Sequence, residues 1–311
     1  MSGRTERPTS PADDGRLDAA TEAFVAHRNL LFTLVYEILG SATDAEDVLQ
    51  ETWLLWAGVD LGTVLDRRAY LIRIATRQAL KRLRTLGRRR ESYVGPWLPE
   101  PLLTAPDVAD DVELADSVSM AMLLVLETLG PTERAVFVLR EVFVLDYDEI
   151  AGAVGKSPAT VRQIAHRARA HVAARRPRGT ASPAETRAAL EAFQRAVETG
   201  ELQGLLDILA PDVVALSDGG GVRHALLRPL VGAGNVARLL AVGWWRREGA
   251  RGGRSVEMVQ INGGPGLLVR IGGDVDGVVA VRMENGYVTG AYHVRNPEKL
   301  SRIGQETAVS R

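Results

Sequence analysis

The amino-acid sequence predicts a multidomain protein with two all-α domains followed by an α+β domain. Three observations predict this fold class: helical apolar periodicity in two blocks, a proline-rich break between the blocks, and short β-rich runs with glycine-rich turns in the last third of the chain. At 311 residues the chain exceeds the usual size of one domain, so we expect two or three domains, each with its own core.

Changes in composition along the chain set the expected domain boundaries. Helical periodicity begins near Leu17, and the prolines of segment 95–106 disfavour a continuous helix there. We expect, in chain order, a disordered polar tail at 1–16, a helical domain at 17–92, a proline-rich acidic linker at 93–112, a helix-turn-helix domain at 113–175, a second linker at 176–184, an α+β domain at 185–295 and a C-terminal tail at 296–311.

The composition excludes several classes of protein. The chain has no cysteine, so it has no disulfide, no thiolate nucleophile and no cysteine-based zinc site. No apolar run approaches the roughly 20 residues that span a bilayer, and the first residues lack the apolar core of a signal peptide. We therefore expect a cytoplasmic protein with no membrane partner.

The charges are sorted into blocks, although the formal net charge is only −1. Two basic blocks flank an acidic connector, and this arrangement favours a nucleic-acid partner more than the net charge does. The first basic block contains Arg67, Arg68, Arg73, Arg77, Lys81, Arg82, Arg84, Arg88, Arg89 and Arg90. The acidic connector contains Glu100, Asp107, Asp110, Asp111, Glu113 and Asp116, and the second basic block contains Arg162, Arg167, Arg169, Arg175, Arg176 and Arg178.

The second helical block contains the pattern of a helix-turn-helix. Asp146 and Glu149 have capping-box spacing and open a short helix that runs to about Ala153. Gly155 supplies a left-handed turn, and Ser157 caps a second helix. The core face of that helix consists of Val161, Ile164, Ala165 and Ala168. The candidates for contacts with bases and phosphates are Ser157, Thr160, Arg162, Gln163, His166, Arg167 and Arg169.

The same pattern is also compatible with a helical hairpin whose polar face contacts only solvent. The neighbouring basic block favours the DNA-binding interpretation. His166 and His171 are five positions apart and do not share a helix face well, so we expect no metal site there.

The first helical block contains a helix with an acidic outer face. Thr43 and Glu46 have capping-box spacing and are expected to open a helix that runs to about Trp56. The residues expected to face inward are Ala45, Val48, Leu49, Thr52 and Leu55. The residues left outside are Asp44, Asp47, Gln50 and Glu51.

The next helix, capped by Asp66, carries a cationic stripe. At 100° per residue its basic residues lie within an arc of about 80°, opposite an apolar face. The stripe consists of Arg73, Arg77, Lys81, Arg84 and Arg88, and the apolar face of Ile72, Ala75, Ala79, Leu80, Leu83 and Leu86. A narrow stripe follows a phosphate backbone well, whereas an Arg-rich face that contacts only solvent would leave five like charges to repel one another.

Together these motifs resemble extracytoplasmic-function (ECF) sigma factors over about residues 17–174. The string DAEDVLQETWLLW resembles the region 2 helix that docks on the β′ coiled coil of RNA polymerase, and RRAYLIRIATRQALKRLR resembles the promoter-contacting helix that follows it. The string YDEIAGAVGKSPATVRQIAHRARAHV is similar to region 4, which reads the upstream promoter element. The resemblance implies a transcription initiation factor.

The resemblance also implies partners and roles. Core RNA polymerase, through its β′ coiled coil and β subunit, and promoter DNA would be the partners, with the outer face at Asp44, Asp47, Gln50 and Glu51 on the polymerase. The loop 57–65 and the Arg73 helix would capture and open the downstream element. In such factors the linker threads the basic interior of the polymerase, which the acidic run 100–116 suits. Tyr70 and Lys81 depart from the family pattern, so base preference stays open.

Three further strings, WLPEP, SDGGG and NPEKL, resemble the ECF subgroup with a C-terminal SnoaL-like, NTF2-type domain, in which a curved sheet and helices form a cone. The resemblance implies that these segments pack together, set the placement of regions 2 and 4, and replace a separate anti-sigma protein. The interdomain candidates are Trp97, Leu98, Pro99, Glu100, Pro101, Asp218, Gly219, Gly220, Gly221, Asn296, Pro297, Glu298, Lys299 and Leu300.

Two other functions remain compatible with the residues. One is a helix-turn-helix regulator that acts without RNA polymerase. The other is an enzyme of the polyketide-cyclase type, with Asp218, His224 and His293 as acid-base groups. With either function, a C-terminal domain that senses a small-molecule ligand stays compatible with the residues. We favour a non-enzymatic protein without catalytic residue, cofactor or metal, because no pairing of base and nucleophile is visible in the sequence.

Overall fold

The protein has a helical N-terminal part and a C-terminal part built on one mixed sheet, so the predicted fold class is confirmed. The computed structural model describes residues 11–105, 108, 111–175, 182–199, 202–240 and 253–311, without the side chains at 11–16, 88–90, 112, 196–199, 202 and 254. No described helix is long and apolar enough to cross a bilayer.

Three helices form the first helical unit: α1 (Pro11–Leu39), α2 (Ala42–Ala57) and α3 (Arg67–Glu91). The Asp66 carboxylate accepts a hydrogen bond from Ala69 N at 2.9 Å and caps α3, as predicted. Helix α1 begins at Pro11, so the prediction of a disordered tail to residue 16 is wrong for 11–16. The fixed φ of proline suits the first position of a helix. Residues 1–10 lie outside the described residues.

Five helices form the second unit: α4 (Val112–Val118), α5 (Met120–Leu126), α6 (Pro131–Phe137), α7 (Tyr147–Val154) and α8 (Pro158–Ala173). The predicted helix-turn-helix is α7 and α8. Glu149 Oε2 accepts from Asp146 N at 3.0 Å, Gly155 turns with φ +67°, and Ser157 Oγ accepts from Thr160 N at 3.2 Å. The capping box, the left-handed turn and the N-cap that the sequence predicts are therefore all present.

Helices α1 to α8 share one continuous apolar core, so the two helical units do not have the separate cores that we expected. Leu55 was expected to face this core but is 49% exposed, whereas Trp56 is fully buried and its indole nitrogen donates to Ala20 O at 2.8 Å. At 100° per residue, Trp56 lies about 20° from Ala45 around the helix axis, whereas Leu55 lies about 80° away.

The C-terminal part contains α9 (Pro183–Thr199), α10 (Leu202–Ile208), α11 (Ala233–Leu239), α12 (Pro297–Leu300) and one mixed sheet. The strands are β1 (Leu103–Thr104), β2 (Leu209–Asp218), β3 (Leu230–Val231), β4 (Arg254–Ile261), β5 (Gly264–Ile271), β6 (Asp274–Glu284), β7 (Tyr287–Val294) and β8 (Glu306–Thr307). Their order is β3-β2-β7-β6-β5-β4-β1-β8, and the β2–β7 and β1–β8 pairs are parallel.

Two Asn-Gly turns close hairpins in this sheet. The turn at Asn285-Gly286 joins β6 to β7, with φ values of +51° and +82°. A second turn, at Asn262-Gly263, joins β4 to β5 with φ values of +53° and +75°. Positive φ at both central positions is the type I′ geometry that Asn and Gly tolerate.

The sheet is covered on both faces. Helices α9, α10 and α11 pack on one face, and the linker, α5 and α12 pack on the other. Strands β1 and β8 come from the linker and the C-terminal tail, outside the segment 185–295 that the sequence assigned to this domain. The sheet is therefore completed by a segment that precedes the helix-turn-helix and by the C-terminal tail.

Candidate nucleic-acid interface and interdomain junction

The cationic stripe lies on the outer face of α3. Arg77, Lys81 and Arg84 are exposed, and the guanidinium of the half-buried Arg73 lies 4.4 Å from the ring centroid of Tyr70. The predicted apolar face is buried, at Ile72, Ala75, Ala79, Leu80, Leu83 and Leu86. The side chain of Arg88 lies outside the described residues. The described part of the stripe therefore presents three exposed basic side chains on one face of α3.

The recognition-helix candidates lie on the outer face of α8. Its core face is buried, and the exposed candidates are Ser157, Arg162, Gln163, His166, Arg167 and Arg169, with Thr160 half-buried. Two of the arginines already pair with acids: Arg169 with Glu141 at 2.7 Å, and Arg167 with Glu133 at 3.8 Å. Arg162, Gln163 and His166 are exposed, and the Arg162 guanidinium lies 5.5 Å from the ring centroid of Tyr147.

The two candidate DNA-binding surfaces are neighbours in this structure. Helix α3 packs beside α7, and Arg77 Nη2 of the stripe donates to Gly152 O of α7 at 2.9 Å. A residue of the stripe is thus engaged by the helix-turn-helix unit itself. In this arrangement the stripe is not free along its whole length.

The outer face of α2 carries less net negative charge than its sequence indicates, because a basic residue of α3 pairs with two of its acids. Arg82 of α3 forms ion pairs with Asp44 and Asp47, while Gln50 is exposed and Glu51 half-buried. Sequence reasoning missed an apolar pair beside them, Leu54 and Leu55, which are 72% and 49% exposed. Adjacent exposed leucines next to polar residues are typical of a docking surface.

The SDGGG, WLPEP and NPEKL segments meet at the carboxylate of Asp218, which is fully buried. Its Oδ1 accepts from Tyr93 OH at 2.6 Å and from Gly220 N at 3.0 Å. Its Oδ2 accepts from Leu98 N at 2.9 Å and from Lys299 Nζ at 2.7 Å. One carboxylate therefore connects the linker, the end of β2 and the start of α12.

Lys299 completes this junction from the NPEKL side. Its Nζ also donates to Leu98 O and lies 4.0 Å from the ring centroid of Trp97, a cation–π contact. Asn296 caps α12 through Glu298 N at 3.0 Å. Gly220 is required opposite Asn296, because a Cβ there would lie 2.5 Å from Asn296 Cγ and φ is +64°.

Remaining motif residues differ in exposure. Leu98, Pro99, Glu100, Pro101, Gly219 and Leu300 are buried, whereas Gly221, Pro297 and Glu298 are exposed. Glu100 caps α2: its Oε2 accepts from Thr43 N and from Ser41 Oγ, both at 3.1 Å. Burial raises the pKa of the Glu100 carboxyl, and these donors oppose the rise.

The capping box predicted at Thr43 and Glu46 is wrong. Ser41 is the N-cap of α2, with its Oγ accepting from Asp44 N at 3.1 Å. Glu46 instead forms ion pairs with Arg28 at 2.7 Å and with Arg302 at 3.3 Å. A carboxylate from the linker replaces the local one, because Glu100 reaches the same amide from across the junction.

A buried ionisable group lies between α1 and the second helical unit. Burial raises the pKa of Glu37 to about 8, although Ser117 and Arg134 oppose the rise. Ser117 Oγ lies 2.8 Å from Glu37 Oε1 and 2.9 Å from Leu114 O, and its one proton serves only one of these oxygens. A protonated Glu37 completes the second hydrogen bond, so we take Glu37 to be neutral at pH 7.

Arg134 of α6 is the cation of this buried region. It forms an ion pair with Glu127, and its Nε donates to Glu37 O at 2.9 Å. Burial lowers the pKa of Arg134 to about 9. Helix α1 and α6 are therefore joined through buried polar groups as well as through the apolar core.

The three acid-base candidates do not form a catalytic arrangement. The Asp218 carboxylate already accepts the four hydrogen bonds described above, and His224 is exposed. Burial lowers the pKa of His293 well below its usual value, and the cavity beside this histidine has a volume of only about 20 Å³, room for about one water. Among the described residues, no group of acids and histidines could hold a metal ion.

Comparison with known proteins supports the order of the two helical units. Family models for Sigma-70 region 2 and Sigma-70 region 4 match residues 23–89 and 119–172. The ECF RNA polymerase sigma factor SigJ of Mycobacterium tuberculosis is 32% identical over 290 residues, which cover 89% of this chain and 92% of SigJ. A probable ECF sigma factor SigI of the same species is 32% identical over 293 residues, which cover 93% and 97%.

The crystal structure of M. tuberculosis SigJ is similar to the whole molecule, with a TM-score of 0.73 at 29% identity over 90% of this chain and 98% of SigJ. A region 2 followed by a helix-turn-helix region 4 defines a sigma factor. The chain belongs to the extracytoplasmic-function family of RNA polymerase sigma factors. Its partners are accordingly core RNA polymerase and promoter DNA, and its C-terminal part has the sheet covered by helices that an α+β domain requires.

Proposed function

We propose that the C-terminal domain regulates this sigma factor by holding the linker in the sheet and the two DNA-binding surfaces together. The observation that carries the proposal is the buried Asp218 carboxylate, which accepts from Tyr93, Leu98 and Lys299. The Arg77–Gly152 hydrogen bond supports it, because a factor that reads two separate promoter elements must separate these surfaces. Substitution of Asp218 tests the proposal.

The same contacts support a non-enzymatic C-terminal domain. The Asp218 oxygens already accept four hydrogen bonds, so this carboxylate is not available as a general base. A chain that holds its own linker needs no separate anti-sigma protein to restrain it. It acts where the polymerase is, in the cytoplasm.

We propose that the outer face of α2 docks on core polymerase through Gln50, Glu51, Leu54 and Leu55, with Asp44 and Asp47 at its edge. Leu54→Glu places a charge at the most exposed apolar side chain of that face. We expect retention of core polymerase on immobilised protein to fall about 5- to 30-fold, because interface anchors contribute roughly 1–2 kcal/mol. Val25→Glu, at a 62% exposed apolar residue of α1, is the matched control and should retain polymerase. Equal retention by both variants would contradict this docking face.

We propose that α8 reads the upstream promoter element, with the stripe on α3, including Arg88, contacting the downstream element. Arg162→Ala should weaken binding of the reconstituted holoenzyme to preferred DNA by about 10- to 100-fold, since a good base contact contributes roughly 1–3 kcal/mol of discrimination. Selection from a randomised promoter library measures the loss. Arg187→Ala removes an exposed arginine of α9 and should select the same DNA as the unmodified protein. Loss of preference in the control, or its retention in Arg162→Ala, would argue against this assignment.

A further inference from the structure

The tip of the β4–β5 hairpin is inserted between the linker and both helical units. Asn262 N donates to Leu102 O at 2.9 Å, and Asn262 Oδ1 accepts from Leu102 N at 3.1 Å. Asn262 Nδ2 donates to Tyr36 OH of α1 at 2.6 Å and to Val118 O of α4 at 2.9 Å. One side chain therefore joins the C-terminal sheet to region 2, the linker and region 4.

Asparagine suits this position for two reasons. Its amide supplies two N–H donors and a carbonyl acceptor, all of which have partners here, and the side chain is buried. It also tolerates the φ of +53° that the turn requires. The next residue, Gly263, donates from its amide to Thr104 Oγ1 at 3.0 Å, and a Cβ there would lie 2.6 Å from Ala115 Cα.

The other Asn-Gly turn shows that this insertion is not a general property of the turn. Asn285-Gly286 has the same backbone geometry, but both residues are exposed, and a Cβ at Gly286 would meet no atom within 4 Å. The difference lies in position: the β4–β5 tip points at the linker. The chain thus contains a matched pair of hairpin tips, one inserted and one in solvent.

The inserted tip is held by hydrogen bonds and by the close approach of Gly263 to Ala115, but the packing beside it is incomplete. A cavity of about 460 Å³ lies beside it, between α4, α5 and α9 and the sheet, and its lining includes Ser119, Met120, Gly264 and Arg282. Close packing is therefore incomplete where region 4 meets the sheet. The polar contacts of Asn262 fix the linker at this point.

We propose that the C-terminal sheet and core RNA polymerase compete for the same stretch of linker, residues 98–104, and that Asn262 is the residue that clamps it in the sheet. The inference rests on the proposed function, in which the C-terminal domain holds this linker, together with the expectation from the resemblance that the linker threads the polymerase. Leu98, Glu100, Leu102 and Thr104 are buried in the sheet-bound state, and β1 is paired on both edges, with β4 and with β8. A segment enclosed in this way has no surface left for a polymerase channel.

Hydrogen exchange of the full chain tests the clamp. Asn262→Gly keeps the tolerance for positive φ and removes the amide, while Asn285→Gly makes the same change at the exposed tip. We expect amides of peptides covering 97–104 to exchange about 10- to 100-fold faster in Asn262→Gly, since each net hydrogen bond contributes roughly a factor of five. Tyr36→Phe removes the acceptor of Asn262 Nδ2 and also the hydrogen bond that Tyr36 OH donates to Glu100 O of the linker at 2.7 Å, so it too should speed exchange of these amides. Asn285→Gly should match the unmodified protein.

Affinity for core polymerase tests the competition. We expect the Kd of Asn262→Gly for core polymerase to fall about 10-fold and that of Asn285→Gly to stay unchanged. Equal linker exchange in the two glycine variants would overturn the clamp. Faster exchange with unchanged affinity would overturn the competition while leaving polymerase docking intact. If no variant, nor the unmodified protein, associates with core polymerase, the docking function fails and the competition fails with it.

Discussion

Asp218→Asn releases the linker and raises promoter-directed transcription by the reconstituted holoenzyme; this is the result we expect. The substitution removes the charge partner of Lys299 and at least one acceptor among those used by Tyr93 and Leu98. Removing one member of a buried ion pair typically costs about 3–5 kcal/mol, because the other charge stays buried. Multiple-round run-off transcription measures the gain in activity, and exchange of linker amides measures the release.

The matched control is Asp276→Asn. Asp276 forms a buried ion pair with Arg295 at 2.8 Å in the same domain, and this contact joins β6 to the end of β7 rather than to the linker. This variant should lose comparable stability and keep the transcription of the unmodified protein. If both variants raise transcription equally, general destabilisation explains the gain; if Asp218→Asn leaves it unchanged, the C-terminal domain does not restrain the factor through this junction.

Glu37→Gln should stabilise the helical part at alkaline pH. The pKa of Glu37 is about 8 in the folded protein against 4.5 when free. The neutral carboxyl therefore contributes fully to the free energy of unfolding below about pH 4.5, and this contribution is lost as the pH rises through 8. The free energy of unfolding of the unmodified protein should therefore fall across this window. Glutamine keeps an acceptor for Ser117 without an ionisable proton, so the variant should be about 2–4 kcal/mol more stable above pH 8.

Urea unfolding followed by helical circular dichroism at pH 5, 6.5 and 8.5 measures this effect. Glu127→Gln is the contrasting variant, because it removes the ion-pair partner of the buried Arg134 and should destabilise the protein at all three values. A Glu37→Gln variant whose stability varies with pH as steeply as that of the unmodified protein would show that Glu37 does not titrate in this window.

Local signals in the sequence were sufficient to predict the helix-turn-helix. The caps at Asp146 and Ser157 and the left-handed turn at Gly155 involve atoms a few residues apart, so spacing alone identifies them. The buried face of α8 follows from helical periodicity for the same reason. The type I′ turn at Asn285 is equally local.

Long-range partners were beyond the reach of such patterns. The spacing of Thr43 and Glu46 satisfied a capping box, but Glu100, 57 residues from Thr43, occupies that amide. The pairing of β1 with β4 and β8 depends on where the linker lies, which no periodicity encodes. The motifs at 97–101, 217–221 and 296–300 were identified by resemblance. That Asp218 is the acceptor they share could be seen only in the three-dimensional structure.

The cap that Glu100 places on α2 couples the linker to that helix thermodynamically. If leaving the sheet takes Glu100 away from Thr43 N, the helix that would meet the polymerase loses a carboxylate at its positive end. Linkage is reciprocal, so any molecule that favours the capped helix also disfavours departure of the linker, and by the same factor. Binding of polymerase to α2 and departure of the linker from the sheet would then be linked equilibria, each changing the equilibrium constant of the other.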